Sequence, residues 1–160
     1  MKAGITGHQH LGAQETVEWV AAQIENALVH NNVEHGFTSL AIGADQIFAR
    51  ILRQRGLPYT AVIPCQDYEQ TFQTPEPLDQ YRTLLQSAAH TLTLNFSRPE
   101  EAAFFAAGKR VVELADFLIA VWNGLPAKGL GGTADVVRYA QAAKKRVVHF
   151  NPISFSATVL

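Results

Sequence analysis

The sequence predicts a single α/β domain: one doubly wound, mostly parallel sheet of about six strands flanked by helices, Rossmann-like in character. Three observations carry this. Short apolar runs alternate with stretches of helical periodicity along the whole chain. The run at residues 117–121 (FLIAV) is apolar throughout, as a strand covered by helices on both faces must be, where a half-exposed strand would alternate. Several of these runs end directly in glycine-bearing turns, which a parallel sheet brings to one edge.

Element by element, residues 3–6 form a first strand that breaks at Gly7-His8. Thr16, Val17, Val20, Ile24, Ala27 and Leu28 then recur at helical spacing to about Asn31. A second strand is expected at residues 38–42, halting at Gly43-Ala44-Asp45. Ile47, Phe48, Ile51 and Leu52 give the following helix its apolar face, and Gly56-Leu57-Pro58 ends it. Residues 59–63 form a third strand stopped by Pro64, and residues 66–77 read as a long, polar, aromatic-bearing loop of the functional kind. A helix at 78–88, a strand at 91–94 and a helix at 100–114 follow, then the strand at 117–121. A glycine-rich loop spans 124–132, a helix 133–143 and a last strand 147–150, before an irregular tail from Asn151-Pro152.

Composition bounds the partners. At 160 residues the chain fits one domain, 1–160, because domains run roughly 100 to 150 residues and a second core would lack chain. A formal net charge of −1 offers no basic field for gripping extended nucleic acid. No apolar stretch approaches the roughly 18 residues of a membrane span. The single cysteine, Cys65, excludes an internal disulfide framework, and the first residues enter a strand-like run without a signal-peptide pattern. The expected location is the cytoplasm.

The candidate site gathers at the strand ends. Gly129, Gly131 and Gly132, lacking Cβ atoms, let backbone amides approach an anion, and the helix opening near Thr133 adds its positive dipole end. A phosphate cradle is the resulting expectation. Thr133 can cap the helix or donate to phosphate, and Asp135 can accept from a ribose hydroxyl. Thr6, Gly7 and His8 flank the cradle, with Gln9 and His10 as weaker candidates. Gly43, Ala44 and Asp45 stand near the sugar, although an acid at a helix start also serves the helix dipole. Trp122 can stack on a base and Asn123 can read its edge, against the alternative that Trp122 simply packs at the rim. No dedicated metal site or resident cofactor is expected, since His8 and His10 lack further ligands at metal-binding spacing; the expected ligand is a nucleotide or a derivative of one.

The strand-end segments 4–8, 43–45, 115–124 and 131–137 together resemble the SLOG superfamily of Rossmann-like nucleotide-binding proteins, over nearly the whole chain. The superfamily includes the LOG phosphoribohydrolases, DNA-processing-type proteins and stand-alone sensor domains. The resemblance implies a nucleotide-type ligand and, from relatives that commonly pair through helices, a homo-oligomer; Phe104 and Phe105 are expected as exposed aromatics on the pairing helix. The LOG signature Pro-Gly-Gly-x-Gly-Thr-x-x-Glu, aligned on Gly132-Thr133, places Val136 at the functional glutamate. Asp135 lies about 100° around the helix from that position. Small bacterial relatives carry Thr-Gly-His-Arg at the first turn, where this chain has Gln9 after His8. Nucleotide binding or sensing is therefore the leading expectation. The alternative is an N-glycosidic enzyme, LOG-like or deoxyribosyltransferase-like, with Asp135 or Asp45 as its acid; a partner-binding subunit is the third.

Overall fold

The computed structural model describes residues 1–160. Its strands are β1 (Lys2–Gly7), β2 (His35–Thr38), β3 (Tyr59–Ile63), β4 (His90–Thr93), β5 (Phe117–Val121), β6 (Arg146–Asn151) and β7 (Ser156–Val159). The helices are α1 (Gln14–His30), α2 (Ala44–Gln54), α3 (Pro75–Ser87), α4 (Glu101–Leu114) and α5 (Thr133–Ala142), with a 3-10 turn at Tyr68–Thr71. The seven strands form one sheet in the order β4-β3-β2-β1-β5-β6-β7, parallel except for the antiparallel β6–β7 pair.

Alternation along the strands splits the core between the two sheet faces. From β5, Phe117, Ile119 and Val121 join the core under α1, α2 and α3, whereas Leu118 and Ala120 join the core under α4 and α5. Every residue of β5 is buried, as its uniform apolarity requires. β1 builds outward through β2, β3 and β4 on one side, and the chain then crosses back to lay β5 on the other. The order reverses between β1 and β5, and a crevice opens there beyond the strand ends.

Three sequence expectations are corrected. β2 lies at His35–Thr38, sharing only Thr38 with the strand expected at 38–42. The Asp45 carboxylate accepts hydrogen bonds from the Thr38 hydroxyl (3.0 Å) and the Ser39 amide (2.9 Å), and Leu40 turns to φ 57°, so this run becomes the β2–α2 turn. α3 starts at Pro75, where a first-turn proline sacrifices no helical bond, so the loop before it is shorter than expected. The tail is not irregular: β7 pairs along β6, and Phe155 sits edge-on to Trp19 at 5.2 Å between ring centroids, which makes a seventh strand.

Gly43 shows why the turn demands glycine. Its φ is +86°, and a Cβ there would collide with the backbone oxygens of His8 and Gln9. The Ala44 amide donates to His8 O at 3.2 Å, which clamps the start of α2 against the end of β1. Gly43→Ala is expected to lower the unfolding free energy by about 2–4 kcal/mol, from left-handed strain plus overpacking, as read from urea denaturation midpoints.

Candidate functional site

A cleft of ≈ 1000 Å³ opens at the carboxyl ends of β1 and β5 and reaches across to the segment after β3. Thr6, Gly7, His8, Asp45, Trp122, Asn123, Gly129, Gly131, Gly132 and Thr133 line it, so the fold brings together most of the residues singled out from the sequence. Gly43, Ala44 and Asp135 do not line it. Gly43 and Ala44 are spent in the clamp on His8. The Asp135 carboxylate turns back to accept the Gly131 amide at 3.0 Å.

Tertiary bonds tie the floor of the crevice together. His8 N donates to Val121 O at 3.0 Å, continuing the β1–β5 ladder by one residue. The Asn123 amide donates to His8 Nε2 at 3.0 Å, so that nitrogen is unprotonated and the ring carries its proton on Nδ1. Burial pushes the His8 imidazole below its ordinary value, which favours the same neutral ring. Trp122 is held by its Nε1 donating to Leu125 O at 2.8 Å and by His149, whose ring lies 5.3 Å from its own. Asn123 Oδ1 accepts the Leu125 amide at 3.0 Å. Both side chains therefore brace the start of the glycine-rich loop as well as lining the cleft.

The loop's glycines serve packing as well as approach. Gly131 has φ +86°, and a Cβ would stand 2.7 Å from Phe105 N and 3.0 Å from Glu101 O. It is wedged against α4, not presented on a free surface. Glu101 Oε2 accepts the Leu130 amide at 3.2 Å, so Leu130 and Gly131 both donate to carboxylates of the chain itself. The amides of Asp135 and Val136 turn back to Gly132 O. The amides of Gly132, Thr133 and Ala134 donate to no group within the chain, and the Thr133 hydroxyl is likewise unengaged. Unpaired donors thus run from the loop, where the Lys128 and Gly129 amides also find no acceptor within the chain, into the first turn of α5.

Val136 is buried and packs against Gly108 of α4, so the helix presents an apolar side chain where the LOG signature has its acid. Phe104 and Phe105 are half-buried, correcting the expectation of exposed aromatics. Phe104 lines the cleft beside Tyr68, and Phe105 packs edge-on to Tyr139 with Lys109 over its ring. Their spacing on α4 did not separate an inward from an outward face, because α5 covers one side of that helix.

Sequence reasoning missed Lys128, Glu101 and Tyr68, all of which line the cleft. Lys128 lay in plain view between the loop's glycines. Glu101 and Tyr68 carry no local signal, because they reach the cleft only through the packing of α4 and of the segment after β3.

No protein-family model and no curated protein sequence matches this chain. Among solved structures, DNA processing protein A of Streptococcus pneumoniae superposes with a TM-score of 0.68 at 18% identity, covering 92% of this chain and 49% of that one. DNA processing protein A of Helicobacter pylori, described with a single-stranded DNA binding mode, gives 0.67 at 18% identity, over 93% and 64%. The molybdenum cofactor binding protein of Rippkaea orientalis gives 0.59 at 14% identity, over 94% and 76%. This chain thus spans about half of the first of these proteins and just under two thirds of the second.

Asp45 yields a pH prediction. Burial raises its carboxyl from 3.8 to about 6, against the lowering effect of its bonds from Thr38 and Ser39. The folded state therefore holds this proton more tightly than the unfolded chain does. The group's contribution to stability is full below 3.8 and is lost as pH rises to about 6, a change of about 3 kcal/mol. Asp45→Asn cannot ionise, so its stability relative to the parent protein should rise between about pH 4 and about pH 7, as followed by chemical denaturation. At the level of fold, the chain shares the Rossmann-like α/β architecture of these solved structures.

Proposed function

We propose that this protein binds or senses a nucleotide or nucleotide derivative, whose phosphate sits on the first turn of α5. The observation that carries the reading is the set of unengaged amides at Gly132, Thr133 and Ala134, beside the free Thr133 hydroxyl, at the mouth of a cleft at the topological switch point. These donors converge where the helix dipole favours an anion, and exposed Lys128 adds a positive charge on the same wall. Thr6, Gly7 and His8 form the opposite flank, with the Nδ1–H of a neutral His8 as its side-chain donor.

The chemistry of the site supports binding over glycosidic cleavage. A glycosidase needs an acid free to face the anomeric carbon. Val136 cannot ionise, Asp135 is committed to Gly131, and Asp45 is held by Thr38 and Ser39 through Oδ2. Glu101 is the exposed carboxylate of the cleft wall, and it accepts the Leu130 amide. A two-fold dimer remains part of the proposal, without Phe104 and Phe105 as its contact.

Titration calorimetry across a panel of nucleoside 5′-monophosphates should show saturable binding. Thr133→Val should weaken it about tenfold while moving stability by no more than about 0.5 kcal/mol, because the hydroxyl has no partner within the fold. Absence of saturable binding to any phosphorylated ligand would refute the reading. Chromatography of the same mixtures should show no released base. Release that disappears in Glu101→Gln while binding persists would favour the enzyme.

A further inference from the structure

The cleft extends beyond the cradle to the segment after β3, where the proposed phosphate site has no use for its residues. Tyr68 stands there, on the 3-10 turn Tyr68–Thr71. It is only 4% exposed, its ring enclosed by Phe72 and Tyr81, each 5.4 Å away between centroids. Its backbone oxygen accepts the Thr71 hydroxyl at 2.8 Å, but its phenolic hydroxyl makes no hydrogen bond within the chain. No side-chain polar atom of the protein is both sealed from solvent and unpaired. The Tyr68 hydroxyl therefore opens onto the cleft that its residue lines.

A buried tyrosine normally satisfies its hydroxyl within the fold, since an unpaired one carries a desolvation cost. Here the ring is fixed by the core and the hydroxyl is left to face the cleft. Asp45, 6% exposed, lines the same cleft, and its negative charge adds to the burial that holds the Tyr68 phenol well above its ordinary value. The hydroxyl therefore stays protonated and able to donate, with a carboxyl acceptor nearby. Half-buried Phe104 supplies an aromatic wall, its ring 6.5 Å from that of Tyr68. A donor, an acceptor and flat apolar neighbours suit the planar edge of a nucleobase, which offers ring nitrogens or carbonyls beside N–H groups.

We propose that Tyr68 and Asp45 form a second subsite of the cleft that reads the hydrogen-bonding edge of a nucleobase, with Tyr68 as a specificity-determining residue. This rests on the reading of the α5 turn as the phosphate site. Asp45 and the α5 turn follow β2 and β5, which lie on opposite sides of β1. The two subsites are thus separated across the crevice, and phosphate and base of one ligand would occupy different walls.

The test is calorimetry with three probes: nucleoside 5′-monophosphates, the matching free nucleosides, and ribose 5-phosphate, which has no base. Tyr68→Phe should weaken the preferred nucleotide about fivefold to tenfold, leave ribose 5-phosphate unchanged, and narrow the preference among bases. Its melting temperature should match the parent's, because the lost hydroxyl bonds nothing in the fold. Equal weakening of nucleotide and ribose 5-phosphate would overturn the proposal in favour of a sugar contact. Unchanged binding of both would overturn it while leaving the phosphate site intact. Tyr68-dependent nucleoside binding with no response to phosphate would sustain the base subsite and refute the phosphate site. No binding by any probe would refute both.

Discussion

The parallel pairing of β1 with β5, from Ala3 against Phe117 to Gly7 against Val121, is the constraint on which the rest of the structure depends. It joins two halves that wind away from each other, and the reversal of strand order leaves the crevice uncovered by a connecting helix. The ladder extends past the strand ends through His8 N to Val121 O, then through the Asn123 amide to His8 Nε2. The floor of the cleft is therefore a continuation of the sheet. Its residues are placed by strand register, which is more exact than the placement a free loop gives.

Around this floor, glycine acts mainly as a packing device. Gly7 is crowded by Ala44 and Val121, Gly43 by the His8–Gln9 backbone, and Gly131 by the backbone of α4. Each lets two segments of main chain meet at a distance a side chain would forbid. The glycine-rich appearance of the strand ends thus reports first on how tightly the loops are drawn together. Donor availability is settled separately, by which amides the chain's own acceptors claim.

Carboxylates decide much of that. Asp135 takes the Gly131 amide, Glu101 takes the Leu130 amide, and Asp45 organises the turn between β2 and α2 through Thr38 and Ser39. Among the groups left unclaimed are the first turn of α5 on one wall and the Tyr68 hydroxyl on another. Unpaired polar groups lining a concave surface are the feature that marks a recognition site in an otherwise satisfied structure.

The sequence by itself determined the α/β class, the strand assignments at β3, β5 and β6, and the convergence of strand-end loops at one edge, because hydrophobic periodicity and glycine placement are local and parallel topology follows from them. It misplaced β2, because residues 38–42 look like a strand until the buried Asp45 carboxylate holds Thr38 and Ser39 in a turn. It missed β7, whose residues are all exposed and which is held by pairing with β6 and by Phe155 on Trp19. The candidate site divides in the same way. Thr133 and the loop glycines were legible as a pattern, whereas the loss of Asp135 to Gly131, the arrival of Glu101 from α4 and the open hydroxyl of buried Tyr68 were decided only by tertiary structure. Each depends on which groups distant in sequence come within hydrogen-bond reach, and packing of the helices on the sheet sets those distances.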